Sequence, residues 1–345
     1  MPFSLLYWLV ISVRSFLYNK RIWKSTQFGM PIICIGNLSV GGTGKSPMVE
    51  YLVRQLQPHF KAATLSRGYK RKTKGYSLAN DQTTALEIGD EPMQFHLKFP
   101  DLPVAVGEDR IEAVAQLLHD RPETEVIILD DAFQHRAVQA GLNIVLTDYN
   151  NLYTNDFYLP AGDLRDLKSS AKRANWIVVT KCPPDLSFAE KERVTRELNL
   201  QPGQELFFAS MAYDVPYHLL TGEQKKLDPA DEILLITGIA NPAPLKEYLE
   251  KYIGGYHLQA YSDHHIFTID DLRDILKKYD GLEGKQKIML TTEKDAVRLT
   301  KFRNELSDRS FYVLPVRHEI LFDQAERFNN LLIDFVRNFR AEVKK

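Results

Sequence analysis

The sequence predicts an α/β protein whose main domain is a doubly wound, mainly parallel sheet. Three observations support this prediction. A β-branched run at 32–35 ends in a glycine-rich turn that leads directly into a helical pattern. Short apolar segments then alternate with helical patterns along the chain. The segments 126–129 and 176–179 are continuously apolar, which is typical of parallel strands covered by helices on both faces.

The elements of this main domain follow in the order that a doubly wound sheet requires. After the opening strand, further strands are expected at 62–66, 103–106, 126–130, 143–147, 176–180 and 206–210. Helices fit the intervening segments at 46–57, 91–99, 110–119 and 187–197.

A second, smaller α/β domain is predicted beyond a polar stretch with proline and glycine at 214–230. We therefore divide the chain into an N-terminal segment 1–25, a main domain 26–215 and a smaller domain 216–345. Two lobes with a cleft between them suit an enzyme that closes on two substrates. The second alternation has strands at 233–237, 256–261, 287–291 and 311–314, and helices at 242–252, 269–278, 293–299 and 322–339.

The N-terminal segment is apolar from Pro2 to Val13 apart from two serines, and Arg14 then interrupts it. This run is too short for a comfortable bilayer span. A core helix packed on the body is one interpretation. We favour a membrane-surface anchor, with Trp8 and Tyr18 near the headgroups and the cations Arg14, Lys20, Arg21 and Lys24 toward anionic lipid. Because the cations follow the apolar run, the body is expected on the cytoplasmic side.

Composition excludes several classes of protein. A hydrophobic content of 44% and a charged content of 26% describe an ordinary globular chain of 345 residues. The formal net charge of −1 provides no general attraction to nucleic acid. Cys34 and Cys182 offer no disulfide framework and are most simply reduced thiols of a cytosolic protein. Cysteines and histidines with zinc-site spacing are absent from the sequence.

The glycine-rich turn has the residue types of a phosphate-binding P-loop, so the expected fold is P-loop NTPase-like. Its backbone N–H groups can surround an anion, and the following helix adds the positive end of its dipole. Lys45 can reach the β- and γ-phosphates, and the Ser46 hydroxyl can bind Mg²⁺. Ser39 stands where the strict motif has glycine, and the alternative is an ordinary βα turn. The predicted nucleotide-binding residues are Gly41, Gly42, Thr43, Gly44, Lys45 and Ser46.

Asp130 and Asp131 follow the apolar strand 126–129. Acids at this position form a Walker B arrangement, which places carboxylates beside the Mg²⁺ of a P-loop. Asp pairs at strand ends also occur as simple caps. The next segment brings Gln134 and His135 to the same edge, where each could instead be a solvated loop residue.

A basic segment, 67–74, follows the strand 62–66 and carries Arg67, Lys70, Arg71, Lys72 and Lys74. In a nearly neutral protein this is a local anion-binding surface. It can be an ordinary solvated loop, or it can contact anionic lipid or a phosphorylated substrate.

Three further places offer chemistry. Asp90 lies at a loop-to-helix junction, where an N-cap role is the simplest interpretation. Arg165 and Asp166 are adjacent in a glycine-bearing loop and can bring one cation to the transferring phosphate and one acid to the metal. His264 ends a strand of the second domain, where its imidazole can face a cleft or lie in a surface loop. Two His and one Asp are too close in sequence there for a convincing metal site.

In combination, these motifs resemble tetraacyldisaccharide 4'-kinase, the lipid A 4'-kinase of Gram-negative bacteria. The resemblance covers nearly the whole chain, and its specificity comes from the number of motifs in one order. The motifs are the N-terminal apolar helix, GNL at 36–38, GGTGKSP at 41–47, SRGY at 66–69, GDEP at 89–92, DDAFQH at 130–135, LPAG at 159–162, DHH at 263–265 and TTEKD at 291–295.

The resemblance implies a kinase of lipid A biosynthesis that uses ATP and Mg²⁺ at the cytoplasmic face of the bacterial inner membrane. It would phosphorylate the 4'-hydroxyl of a tetraacyl glucosamine disaccharide 1-phosphate, with no nucleic acid and no obligate protein partner. The implied catalytic residues are Asp90, His264, Lys45 and Arg165. The implied metal ligands are Ser46, Asp130, Asp131 and Asp166, where Asp166 replaces the usual glutamate. The implied acceptor-binding residues are Arg67, Tyr69, Gln134 and His135.

Two other functions compete with this one. A P-loop GTPase or metallochaperone NTPase is suggested by Thr180-Lys181, which resembles part of a guanine-binding motif, although Pro183 stands where that motif has aspartate. A peripheral membrane scaffold could use the fold for structure alone, but the acids at the predicted edge argue against it.

Overall fold

The computed structural model describes residues 2–253 and 255–340 of the chain. The chain divides into two compact units. The first contains the chain up to Ala212 and again from Arg317 onward, and the second contains Tyr213–Val316. The structure therefore differs from the predicted second domain, 216–345, at its C-terminal end, because the last part of the chain returns to the first unit.

The strands are labelled in chain order. They are β1 (Ile32–Asn37), β2 (Ala62–Ser66), β3 (Ser77–Leu78), β4 (Val104–Val106), β5 (Val126–Leu129), β6 (Leu142–Asp148), β7 (Trp176–Cys182), β8 (Glu205–Tyr213), β9 (Tyr217–His218), β10 (Asp231–Thr237), β11 (His257–Ala260), β12 (Gln286–Thr292), β13 (Phe311–Leu314) and β14 (Val316–Ile320).

The α-helices are labelled in the same way. They are α1 (Pro2–Asn19), α2 (Lys45–Leu56), α3 (Ala85–Ile88), α4 (Asp90–Lys98), α5 (Arg110–Asp120), α6 (Phe188–Leu198), α7 (Ala243–Ile253), α8 (Ile269–Asp280), α9 (Glu293–Leu299) and α10 (Ala325–Arg337). Short 3₁₀ segments lie at Lys168–Arg173 and Thr300–Phe302.

The first unit is built on a nine-stranded sheet in the order β14-β8-β7-β6-β1-β5-β2-β4-β3. Every neighbouring pair from β8 to β4 is parallel, whereas β3 is antiparallel to β4. One face packs against α5 and the other against α2, so both faces carry a buried apolar core. The doubly wound fold class is thus confirmed. Because the carboxyl ends of parallel strands meet at one edge, loop residues that follow these strands converge there.

The return of α10 to the first unit has a hydrophobic cause. Its buried residues Phe328, Leu332 and Val336 recur every four positions, which places them on one face of the helix. The Phe328 ring lies 5.0 Å from the ring of Trp176 and 4.8 Å from that of Phe207, measured between centroids. The apolar face of α10 therefore completes the core on the α2 side of the sheet.

The second unit has a five-stranded sheet in the order β11-β10-β12-β13-β9. Its strands are parallel except for β9, which pairs antiparallel to β13. The smaller α/β unit predicted from the second alternation is therefore present. The two short strands β3 and β9, the short helix α3 and the strand β14 were not among the predicted elements.

Helix α1 has most of its large apolar side chains in solvent, while Ile11 is buried. The Tyr7 hydroxyl donates to the Arg165 carbonyl at 3.0 Å, and the Arg136 guanidinium donates to Asn19 Oδ1 at 2.8 Å. Among the described residues, no helix combines the length and the hydropathy that a membrane crossing needs.

Candidate active site

The P-loop connects β1 to α2 at the carboxyl edge of the large sheet. Gly41 and Gly44 have φ angles of 97° and 82°, a left-handed conformation that favours glycine. Ser39, which replaces the first glycine of the strict motif, instead forms an antiparallel bridge with Leu164. The loop that contains Arg165 is therefore tied to the start of the P-loop by backbone hydrogen bonds.

Lys45, Asp131 and Arg165 form one ion-pair cluster beside the P-loop. Arg165 grips the Asp131 carboxylate with both terminal nitrogens, and its Nη1 lies 3.1 Å from Oδ2. Lys45 Nζ lies 3.7 Å from Asp131 Oδ1. Burial acts to raise the pKa of Asp131, but the hydrogen bond from Arg165 and the nearby charge of Lys45 outweigh it. The net pKa lies below the ordinary value of 3.8, so Asp131 is a carboxylate at neutral pH.

Asp130 lies next to this cluster in a different environment. Burial, and then the charge of Asp131, raises its pKa to about 7. Ser66 Oγ donates to Asp130 Oδ2 at 3.4 Å, whereas the buried Oδ1 has no hydrogen-bond partner among the residues that the structure describes. A buried carboxylate oxygen without a partner costs free energy that a cation would recover. The environment of Asp130 therefore fits a hard divalent ion such as Mg²⁺, and Asp131 and the Ser46 hydroxyl are predicted ligands with oxygen donors of the same kind.

Asp166 is engaged elsewhere. It accepts hydrogen bonds from Ser170 Oγ at 2.9 Å and from the Leu167 N–H at 2.8 Å, and it pairs with Arg173 at 3.2 Å. These contacts tie Asp166 to the 3₁₀ segment Lys168–Arg173, which begins two residues later. Within the described ranges, no three His, Cys, Asp or Glu side chains come together as a metal-binding group. The observed partners of Asp166 are therefore residues of its own loop and the following segment. Its role as a metal ligand stays a prediction.

Two glycine turns bring Asp90 and the SRGY segment together. A Cβ on Gly89 would lie 3.0 Å from the Tyr69 carbonyl oxygen, and one on Gly68 would lie 2.9 Å from the Ile88 carbonyl oxygen. These two glycines therefore allow the loop after β2 to pack against the start of α4, where Asp90 is the first residue. Arg67 and Tyr69 are exposed on the same loop.

The basic segment 67–74 is only partly available for a ligand. Arg71 has a side chain that is 2% exposed and pairs with Glu108 at 2.7 Å. Arg71 therefore holds its own loop in place, and the exposed cations of the segment are Arg67, Lys70, Lys72 and Lys74.

Gln134 and His135 have different surroundings. Gln134 Nε2 donates to the Asn37 carbonyl at 2.7 Å, so this side chain braces the end of β1. Burial, and then the positive charges of Arg110 and Arg67, lowers the pKa of His135 to about 4. His135 is thus a neutral imidazole at physiological pH, and its role in acceptor binding stays a prediction.

His264 belongs to the second unit, where two cations flank its ring. Lys294 Nζ lies 3.0 Å from His264 Nε2, and Arg298 Nη2 lies 3.1 Å from Nδ1. The TTEKD motif that supplies Lys294 also supplies Asp295, which accepts from the Gly238 N–H at 2.9 Å and pairs with Arg298 at 3.3 Å. Asp90 and His264 thus lie in different units, and their pairing stays a prediction.

A family model described as LpxK, tetraacyldisaccharide-1-P 4'-kinase, matches residues 1–337. The chain belongs to this family. Tetraacyldisaccharide 4'-kinases of Bacteroides fragilis and Bacteroides thetaiotaomicron are 45% and 43% identical to it, over 97% of this chain and 92% of each relative. The crystal structure of LpxK from Aquifex aeolicus in complex with ATP superposes with a TM-score of 0.76 at 28% identity and covers 97% of both chains.

Membership in this kinase family confirms the resemblance drawn from the motifs, and with it the assignment as an ATP-dependent kinase. The GTPase alternative is not favoured. In this structure Thr180 bonds to the P-loop backbone, and Lys181 pairs with Asp148 at 2.7 Å.

Sequence reasoning missed several residues that shape the site. Asn37 Nδ2 donates to Thr43 Oγ1 at 2.9 Å, and Thr180 Oγ1 donates to the Thr43 carbonyl at 2.8 Å. His318, on the unpredicted strand β14, reaches the Gly44 carbonyl. Asn37 stood inside a quoted motif, but no local signal marked His318, because its partner is 274 positions away.

Proposed function

We propose that this kinase transfers the γ-phosphate of ATP to the 4'-hydroxyl of a tetraacyl glucosamine disaccharide 1-phosphate. The observation that carries the proposal is the cluster of Lys45, Asp131 and Arg165 beside a glycine P-loop, in a chain that matches this kinase family over residues 1–337. Phosphoryl transfer needs positioning and charge neutralisation more than covalent chemistry by the protein, and this cluster supplies both.

Within the proposal, the backbone amides of residues 41–46 and the Lys45 ammonium hold the β- and γ-phosphates. Ser46, Asp130 and Asp131 would hold Mg²⁺, which neutralises charge on the phosphate oxygens when it is bound. Arg165 keeps Asp131 in place and offers a second cation to the charge that develops during transfer. Asp166 would join the metal ligands only after leaving Arg173.

Asp90 is proposed as the acid–base group. A sugar hydroxyl is a weak nucleophile, so a carboxylate that accepts its proton late in transfer assists the reaction, typically by about 10²–10⁴-fold. His264 is proposed as its imidazole partner, and one of the flanking cations, Lys294 or Arg298, would donate to the ring nitrogen that carries no proton. Arg67 and Tyr69, on the loop that packs against Asp90, and the neighbouring Gln134 and His135 are proposed to bind the acceptor.

The acceptor is a lipid, so we also propose that the enzyme works at the cytoplasmic face of the inner membrane. Support comes from α1, whose apolar residues Phe3, Leu5, Leu6, Leu9, Val10, Val13 and Phe16 are all more than half exposed. A contiguous apolar surface of this kind marks an interaction site. Trp8, Ile22 and Trp23 are also exposed, and Lys20, Arg21 and Lys24 follow in solvent. Helix α1 is proposed to lie in the headgroup region with these cations on anionic lipid.

The decisive experiment incubates purified protein with labelled ATP, Mg²⁺ and the 1-phosphorylated lipid disaccharide, with GTP as the competing nucleotide. Label is expected at the 4' position with ATP, and Lys45→Ala is expected to lose both activity and tight ATP binding. Lys61→Ala is the matched control, because Lys61 is exposed and immediately precedes β2, at the opposite edge of the sheet. Hydrolysis of GTP with no labelled lipid would contradict the proposal.

A further inference from the structure

Two side chains from strands of the large sheet form hydrogen bonds with backbone carbonyls of the P-loop. Thr180, on β7, donates its hydroxyl to the Thr43 carbonyl at 2.8 Å. His318, on β14, lies with Nε2 2.9 Å from the Gly44 carbonyl oxygen. Because a carbonyl can only accept, Nε2 must be the protonated ring nitrogen in this contact. His318 is 2% exposed, so water does not compete for this hydrogen bond.

The contact between His318 and Gly44 is also close in shape. A Cβ added to Gly44 would lie 2.9 Å from both Cε1 and Nε2 of the imidazole. Glycine at 44 is therefore required by the packing of the His318 ring as well as by its φ of 82°.

These two hydrogen bonds set the direction of the amides that follow. The carbonyl of residue 44 and the N–H of residue 45 are opposite ends of one planar peptide group and point in opposite directions. The same holds for the carbonyl of residue 43 and the N–H of residue 44. Glycine provides little resistance to peptide rotation. The Gly44 carbonyl also accepts from the Met48 N–H at 3.2 Å at the start of α2, and His318 adds a side-chain anchor that helps to keep these N–H groups on the phosphate side.

We propose that His318 is a positioning residue of the P-loop. By donating to the Gly44 carbonyl, it keeps the Lys45 N–H aimed at the nucleotide phosphates, while Thr180 does the same for the Gly44 N–H. This inference rests on the proposed ATP site. His318 is buried and its Nε2 bonds to the P-loop backbone, so its effect should be confined to binding and alignment of the triphosphate.

Three substitutions separate this role from simple packing. His318→Gln can place an amide donor near the position of Nε2. His318→Asn is equally polar but too short to reach it, and His318→Phe keeps the ring and removes the donor. His218→Phe is the control, since His218 bonds to the Arg309 carbonyl within the second unit at 2.8 Å. The readouts are the Kd for ATP, the KM for ATP, the KM for the lipid acceptor and the thermal midpoint without nucleotide.

We expect the Asn and Phe variants to raise the Kd and KM for ATP about tenfold, the loss of roughly one well-formed hydrogen bond. The KM for the acceptor should stay at the wild-type value, and the Gln variant should recover most of the ATP affinity. If the Phe variant does not fold, the contrast between Gln and Asn decides the question. Equal ATP affinity in the Gln and Asn variants would overturn the inference. Failure of the wild type to bind ATP would instead overturn the proposed function.

Discussion

The environment of Asp130 leads to a testable prediction about stability, because its carboxyl is buried and one of its oxygens has no hydrogen-bond partner in the described part of the chain. Its pKa of about 7 exceeds the ordinary value of 3.8, chiefly through burial. A group whose folded pKa is raised stabilises the fold most below its unfolded pKa, and this stability is lost as the pH rises through the folded pKa. Metal-free protein should therefore lose stability between about pH 4 and pH 7 because of this one group. The substitution Asp130→Asn removes that loss.

The magnitude follows from the two pKa values. Between pH 5 and pH 8 the carboxyl group of the unfolded chain is already ionised. The folded Asp130 stays protonated from pH 5 to about pH 7, so the two states differ by one bound proton over about two pH units. Since one pKa unit corresponds to about 1.36 kcal/mol, the wild type should lose about 2–3 kcal/mol of unfolding free energy relative to Asp130→Asn over this range.

Urea denaturation of both proteins in EDTA, at pH values from 5 to 8, measures this difference directly. If the unfolding free energy changed with pH equally in the wild type and in Asp130→Asn, burial would not have raised the pKa of Asp130. In the Asp131→Asn variant, the fall in unfolding free energy should occur at lower pH than in the wild type, because the charge of Asp131 is the second cause of the raised pKa of Asp130. Asp101→Asn, on the exposed surface, controls for removal of a carboxylate. Adding Mg²⁺ at pH 8 should restore stability to the wild type but not to Asp130→Asn.

Three further variants test the proposed roles. Asp90→Asn should lower kcat by about 10²–10⁴-fold with ATP affinity nearly intact, and equal turnover would remove Asp90 from the mechanism. Arg165→Gln removes the ion pair with Asp131 and should reduce kcat by about a hundredfold or more in the same assay. Full activity of this variant would show that Arg165 has only a structural role. The double change Leu5→Ser and Leu9→Ser should weaken co-sedimentation with anionic vesicles, whereas Leu97→Ser on α4 should not. If the double variant co-sedimented as well as the wild type, α1 would not be a membrane-binding helix and would serve only to pack on the protein.

The main features of the site could be predicted because they are local in sequence. The β1 strand, the glycine turn and α2 are contiguous, so residue types and spacing were enough to place Gly41–Ser46 and Lys45. The acids at 130 and 131 follow an apolar strand that had to be buried. In each case a short-range pattern and the rule that parallel strands end at one edge determined the position.

The partners of several charged side chains in loops could not be predicted in this way. Asp166 was expected at the metal, but Ser170 and Arg173 use its oxygens. Arg71 was expected to contribute to an anion-binding surface or a solvated loop, but its side chain is buried and pairs with Glu108. The spacing of charged residues does not determine which oppositely charged residue comes close, because that depends on how loops from different strands pack.

By itself, the sequence determined the α/β class, the P-loop with its lysine, the acidic strand end and membership of the kinase family, since each is written in contiguous residues. Only the tertiary structure decided that the chain re-enters the first unit at Arg317, that α10 completes its core, and that His318 lies behind Gly44. The physical reason is that burial of apolar surface and pairing of buried polar groups are satisfied by residues hundreds of positions apart, and periodicity carries no record of those pairings.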